Sequence, residues 1–162
     1  MTAAEFTETE IIESARALPG VVATTANAEN GAPEAAWGDS FFFYDPDDDT
    51  PADRRLPFAT IVTNDVAGWD TSSRLSRPGV FRLNIAVGRD RFRELLGYPP
   101  AAVTERSTGI DYSALDELLP HPTYAAQSWV SILNPSRASA PRVRALLTDA
   151  HARAVARHRP RS

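Results

Sequence analysis

The sequence predicts a single α+β domain: a largely antiparallel sheet of about five strands with helices packed on one face. Three observations predict it. Short apolar runs of period 2 follow one another through the middle of the chain, helical periodicities flank them, and no βαβ alternation links them. The clearest run is residues 81–87. Phe81, Leu83, Ile85 and Val87 alternate strictly, and Arg82 and Asn84 share the opposite face.

The first helix opens on a capping box, Thr7 with Glu10, and a hydrophobic staple, Phe6 with Ile11. Ile11, Ile12, Ala15 and Leu18 repeat at helical spacing until Pro19-Gly20 stops them. Residues 21–25 read as the first strand and residues 36–44 as the second. In the second, Phe41-Phe42-Phe43-Tyr44 is apolar on both faces, as in a well-covered strand. The acidic segment 45–51 ends it, because Pro cannot donate to a ladder and clustered carboxylates repel. Residues 58–63 return antiparallel. A long loop, 64–78, holds Trp69 and leads through Pro78-Gly79 into the fourth strand. Residues 88–90 cap a helix bearing Phe92, Leu95 and Leu96, with Gly97 as its left-handed terminator. Asp111 or Ser113 is expected to cap a short helix carrying Leu115, Leu118 and Leu119 and ended by Pro120. Residues 129–133 read as the fifth strand. Ser139 and Pro141 open the last helix, with Val143, Leu146, Leu147, Ala150 and Ala154 on one face. Trp37 and Trp129 fall in strands and are expected in the core.

A chain of 162 residues reads as one domain, 1–162, with an ordered core of about 6–158. No run approaches the roughly 18 apolar residues that span a bilayer. The start of the chain has no basic stretch ahead of an apolar one, and the sequence has no cysteine. The expected compartment is therefore the cytoplasm. All 17 basic residues are arginine, the mark of a GC-rich coding genome such as an actinobacterium's. A net charge of −4 argues against a generic nucleic-acid coat.

Several segments carry candidate chemistry. Asp45, Asp47 and Asp49 begin like an EF-hand, but Thr50 stands where the turn glycine belongs and Leu56 where the bidentate Glu belongs. A solvated loop is the reading, and no metal is expected there. Gly38-Asp39-Ser40 is similar to the Gly-Asp-Ser block of one lipase and esterase family. A serine nucleophile needs an Asp and a His to activate it, and Asp149 and His151 are spaced to point to different helix faces. No histidine pair sits at i, i+4 and no phosphate-loop motif occurs, so neither a metal nor a cofactor is expected. Arg153 and Arg157, followed by Arg159 and Arg161, make a basic C-terminal face. It either offsets the helix macrodipole or contacts nucleic acid. Trp69 is a plug over the core or part of a ligand lid.

The blocks LPGVV from residue 18, AWGDSFFFYDP from 36, PFATIVT from 57 and PGVFRLNIAVG from 78 resemble an actinobacterial family of unknown function, family 6194. So do LPHPTYAAQSWVSILNP from 119 and the helix VRALLTDAHARA from 143. The resemblance spans about residues 10–159 and implies no activity and no catalytic residues. A looser one is to MmcQ/YjbR-like domains, which share a frataxin-like α+β fold and have been described as similar to DNA-binding double-wing domains. The leading expectation is a non-catalytic binding module for a small molecule or protein, with Arg82, Asn84 and Asp39 as polar anchors and Trp69, His121 and Tyr124 around them. Arg and Asn in a buried strand need partners, which either a ligand or the protein itself supplies. Nucleic-acid binding through Arg153 and Arg157 is the alternative, and a hydrolase using Ser40 or His121 the third. An exposed sheet edge is a place where a second copy could pair.

Overall fold

The computed structural model describes residues 6–158 apart from Asn30, Ala52, Asp53, Trp69 and Ser107. Four helices and six strands occur among them: α1 (Glu8–Arg16), β1 (Val21–Thr25), β2 (Ser40–Tyr44), β3 (Ala59–Val62), β4 (Arg82–Ala86), α2 (Arg89–Leu96), α3 (Val103–Arg106), β5 (Leu118–Pro120), β6 (Trp129–Leu133) and α4 (Ala140–Arg157). The strands form one sheet in the order β1-β2-β3-β4-β6-β5, and every neighbouring pair is antiparallel.

Strand alternation divides the sheet into two faces. Phe42, Ala59, Ile61, Leu83, Ile85, Val130 and Ile132 point to one of them. There they meet Phe6, Ile11 and Ala15 of the first helical region and Val143, Leu146, Leu147, Ala150 and Ala154 of α4. Thr7 and Glu10 close the capping box that starts α1, and Phe6 and Ile11 of the staple are both fully buried. Residues 41, 43, 60, 62, 82, 84, 131 and 133 line the opposite face, which carries no α-helix among the described residues and is covered in part by the loop after β3.

Three expectations are corrected. Residues 36–39 do not extend β2. Residues 34–36 form a 3-10 turn and Gly38 has φ +92°, which interrupts the strand path. Trp37 therefore stands 39% exposed, with its indole N–H on Ala32 O at 2.9 Å, rather than in the core. The second correction is the helix expected over Leu115, Leu118 and Leu119. Asp111 does accept from Ser113, but Asp116 takes φ +56° and its N–H goes to Leu133 O, turning the chain into β5. Leucines at three- and four-residue spacing suit a helix, yet here Leu118 meets the core and Leu119 the other face. The sheet accordingly has six strands, while the short α3 went unforeseen. Third, the acidic loop is not wholly solvated. Asp45 is buried and accepts from the Thr50 N–H and hydroxyl and from Arg55, which also pairs with Asp48. The Arg55 guanidinium neutralises Asp45, the first of the EF-hand-like carboxylates.

The sheet edges are blunted by local bonds. Gly20 and Ala26 bond across to Asp45 and Asp39, so Val21, Ala23 and Thr25 present their backbone outward. Val21 N–H is taken by Leu18 O, and Thr25 O accepts from the Asn27 amide. The other edge, β5, is three residues long and ends on Pro120.

The core assignment predicts a contrast between adjacent phenylalanines. Phe42→Ala should cost about 3–5 kcal/mol by urea denaturation, because it empties a fully buried site. Phe43→Ala, on the half-exposed face, should cost well under half as much.

Candidate functional site

The helix-free face of the sheet gathers the polar residues of β3, β4 and β6. Arg82 is 1% exposed. Its Nε donates to Asn84 Oδ1 at 2.8 Å, its Nη1 to Asp70 Oδ1 at 3.0 Å and Ser73 Oγ at 2.9 Å, and its Nη2 to Asp70 Oδ2 at 2.6 Å. Asn84 Oδ1 also accepts from Ser131 Oγ at 2.8 Å, and its amide donates to Thr60 Oγ1 at 3.0 Å. Register explains the reach, because Thr60, Asn84 and Ser131 lie side by side on three adjacent strands. Asp70 comes from the loop after β3, where it and Val66 exchange backbone hydrogen bonds. Burial raises the Asp70 carboxyl, but the Arg82 hydrogen bonds and charge outweigh it and hold the group below its ordinary range. Arg82 and Asn84 are therefore paired within the protein.

Asp39 is buried at the start of β2. Its Oδ1 accepts the Thr63 N–H at 2.9 Å and hydroxyl at 3.2 Å, and it makes no direct bond to Arg82. Burial, helped by the Asp70 charge, raises its carboxyl against the pull of Thr63 and Arg82. Asp39 precedes β2 and His121 follows β5. Four strand intervals separate them, about 19 Å, so the two do not share one small ligand.

His121 is 5% exposed. Its Nδ1 accepts the Thr123 and Tyr124 backbone N–H groups, each at 2.9 Å. Two donors on Nδ1 fix the tautomer: the neutral ring carries its proton on Nε2, which has no hydrogen-bond partner among the described residues. Burial first, then the Arg82 charge, lowers the imidazole to about 3, with Asp70 opposing. Tyr124 leans on the ring at 5.0 Å between centroids and stands 43% exposed, and Trp129 meets it edge-on at 6.3 Å. His121, Tyr124, Arg82 and Asn84 thus occupy one region of the sheet. Asp39 lies on the β2 side of Arg82, within reach of the charges of Arg82 and Asp70 but across the sheet from His121, and Trp69 is outside the described residues.

Asp70, Ser73, Ser131 and Trp129 were missed as members of this region. Ser131 had a legible signal, a polar residue in an apolar strand, like Asn84 itself. Asp70 had none, since nothing local assigns one loop carboxylate to a distant arginine.

The remaining candidates hold other partners. Ser40 Oγ lies 2.9 Å from Thr25 Oγ1, His151 Nε2 is 2.7 Å from Pro19 O, His158 meets Tyr44 edge-on, and Asp149 faces Arg91. Arg153 and Arg157 are exposed on α4, while Arg159 and Arg161 lie outside the described residues. Arg153 packs so closely on Gly88, at φ +86°, that a Cβ there would collide with its guanidinium. It lines a groove of about 680 Å³ with Arg89 and Arg91, and with Asp90, Glu94 and Asp149, whose charges balance theirs. No group of three or more metal-ligating side chains occurs among the described residues, and none of their helices is long and apolar enough to cross a membrane.

The family model of DUF6194, a family of unknown function, matches residues 6–162. The chain belongs to this family. No curated protein matches the DUF6194 chain. A solved structure with the same fold is that of the Deinococcus radiodurans protein DR2400, whose family-model domain is DUF419. It superposes with a TM-score of 0.56 at 12% identity, covering 99% of this chain and 86% of that one. At that identity the likeness speaks to the α+β fold alone.

Two predictions follow from the site's geometry. Removing one partner of a buried pair strands the other, so Asp70→Asn and Arg82→Ala should each cost about 3–5 kcal/mol in urea unfolding. The double variant Asp70→Leu/Arg82→Met should be more stable than either. For His121, the folded value near 3 lies below the unfolded value of about 6.5, so the unfolded chain binds more protons between them. Its contribution is fully present above pH 6.5 and fades as pH falls toward 3. Acidification to pH 5 should cost about 2 kcal/mol through this residue. Urea midpoints at pH 7.5 and pH 5 should differ less in His121→Phe than in the wild type.

Proposed function

We propose that this DUF6194 protein is a non-catalytic binding module that takes a small molecule on the helix-free face of its sheet, at His121, Tyr124 and Trp129. One observation carries the reading. The His121 Nε2–H has no hydrogen-bond partner among the described residues and is not one of their buried unpartnered atoms, so it reaches the surface as a donor held in place by the turn at Thr123 and Tyr124. A ligand acceptor is the partner proposed. The Arg82–Asp70 pair would act from beneath, stiffening the region without touching the ligand.

The tautomer favours binding over base catalysis. With the lone pair of Nδ1 held by two backbone donors, Nε2 offers a proton rather than taking one. Ser40, bonded to Thr25, has no histidine among its bonded partners. The balanced charge around Arg153 gives the nucleic-acid alternative little support. The same reading keeps the cytoplasm as the compartment and an actinobacterium as the source, supported by the lack of cysteine and of lysine. It keeps the MmcQ/YjbR-like likeness too, supported by the order of helix, meander, Trp129 strand and final helix.

A thermal-shift screen of small metabolites tests the proposal. A ligand at about a hundred times its Kd adds about 2.7 kcal/mol of stability, a rise of several degrees in Tm. The rise should vanish in His121→Phe and survive in His151→Phe. Equal rises in all three proteins would refute a site at His121.

A further inference from the structure

Independently of the His121 surface, we infer that the groove between α2 and α4 binds a small zwitterion of the α-amino-acid type, its carboxylate on Arg153 and Arg89 and its ammonium on Asp90. The groove measures about 680 Å³, a size typical of small-molecule clefts, and His121, Tyr124 and Trp129 do not line it. Its charges fall into two sets. Arg91 is shared by Asp149, 3.5 Å from its Nε, and Glu94, 3.7 Å from its Nη1. The side chains of Arg89, Asp90 and Arg153 make no hydrogen bond or ion pair among the described residues. Arg153 is left over for a structural reason. Asp149 stands four residues before it on α4, the spacing and order that favour an ion pair, yet that carboxylate goes to Arg91. The Arg153 guanidinium lies instead against Gly88, where any Cβ would collide with it. A fork held against the backbone in this way is placed to grip a carboxylate by two parallel bonds. The paired set is itself incomplete. Arg91 Nε is a buried polar atom with no hydrogen-bond partner, its contact with Asp149 being an ion pair alone. Buried donors are ordinarily satisfied, so this one marks polar space in the groove that the chain does not fill.

Charge selects the ligand. Three arginines face Asp90, Glu94 and Asp149, so the groove as a whole is neutral. A simple anion would leave Asp90 without a partner, and a polyphosphate would meet three carboxylates. A simple cation would leave both free guanidinium groups unmatched. A zwitterion pairs each free charge and keeps the groove neutral, with Val87 and Ala152 as an apolar wall for its side chain.

Valine, isovalerate and isobutylamine share one branched carbon skeleton and differ in charge. Titrated at pH 7 into the isotope-labelled full chain, valine should bind at about 1 mM, within the range open to so small a ligand. It should shift the backbone amide signals of residues 88–91 and 149–153 and leave those of Thr123 and Tyr124 in place. Isovalerate and isobutylamine should bind at least about tenfold more weakly. Arg153→Gln and Asp90→Asn replace exposed side chains, so the chain should stay folded while each weakens valine at least about tenfold. Asp90→Asn should also bring isovalerate level with valine. Wild-type binding of isovalerate or isobutylamine as tight as that of valine would overturn the zwitterion. Valine binding undiminished in Arg153→Gln, or amide signals at 88–91 and 149–153 unmoved by all three probes, would overturn the site.

Discussion

The buried pairing of Arg82 with Asp70 is the constraint on which the rest of the structure depends. A guanidinium in the middle of a sheet is tolerable only when its donors are taken. Here a loop carboxylate takes both Nη atoms, Ser73 shares one of them, and Asn84 takes Nε. Such a pair adds little stability over an apolar replacement of the same volume. What it supplies is direction, since only one placement of the loop puts a carboxylate in the plane of the fork. The loop after β3 is thereby registered on the sheet, and Asn84 passes the arrangement sideways to Thr60 and Ser131.

The two faces of the sheet consequently do different work. The helical face is a conventional apolar core, closed by α4 and by the first helix with its Phe6 staple. The other face is organised by hydrogen bonds. Its fixed charge beside His121 helps keep the ring neutral, and the turn at Thr123 and Tyr124 decides which nitrogen carries the proton. Backbone geometry thus sets the chemistry of a side chain: the ring is a donor because of where two main-chain amides point.

Much of the fold was legible in the sequence. The capping box of α1, the Gly97 terminator, the alternation in β4 and the apolar face of α4 are local patterns, and local patterns survive into the structure. The failures share a cause. Leu115, Leu118 and Leu119 fit a helix by spacing, but a left-handed Asp116 and pairing with β6 override propensity. Residues 36–39 looked like strand until Gly38 turned the chain. The site was half legible. Arg82 and Asn84 announced themselves as polar residues in an apolar strand, whereas their partner Asp70 and the tautomer of His121 depend on contacts between segments far apart in the chain.

The blunted edges carry a consequence for how this fold meets other molecules. At β1 the outward carbonyl of Thr25 and the outward amide of Val21 are already engaged by the chain's own Asn27 and Leu18, and β5 is too short and too proline-limited to template a neighbour. Strand addition, by which many small sheets capture extended peptides, is hindered at both ends, with the outward backbone of Ala23 the part of the β1 edge that these bonds leave open. The two edges are thus closed in different ways, β1 by bonds within its own chain and β5 by brevity and proline.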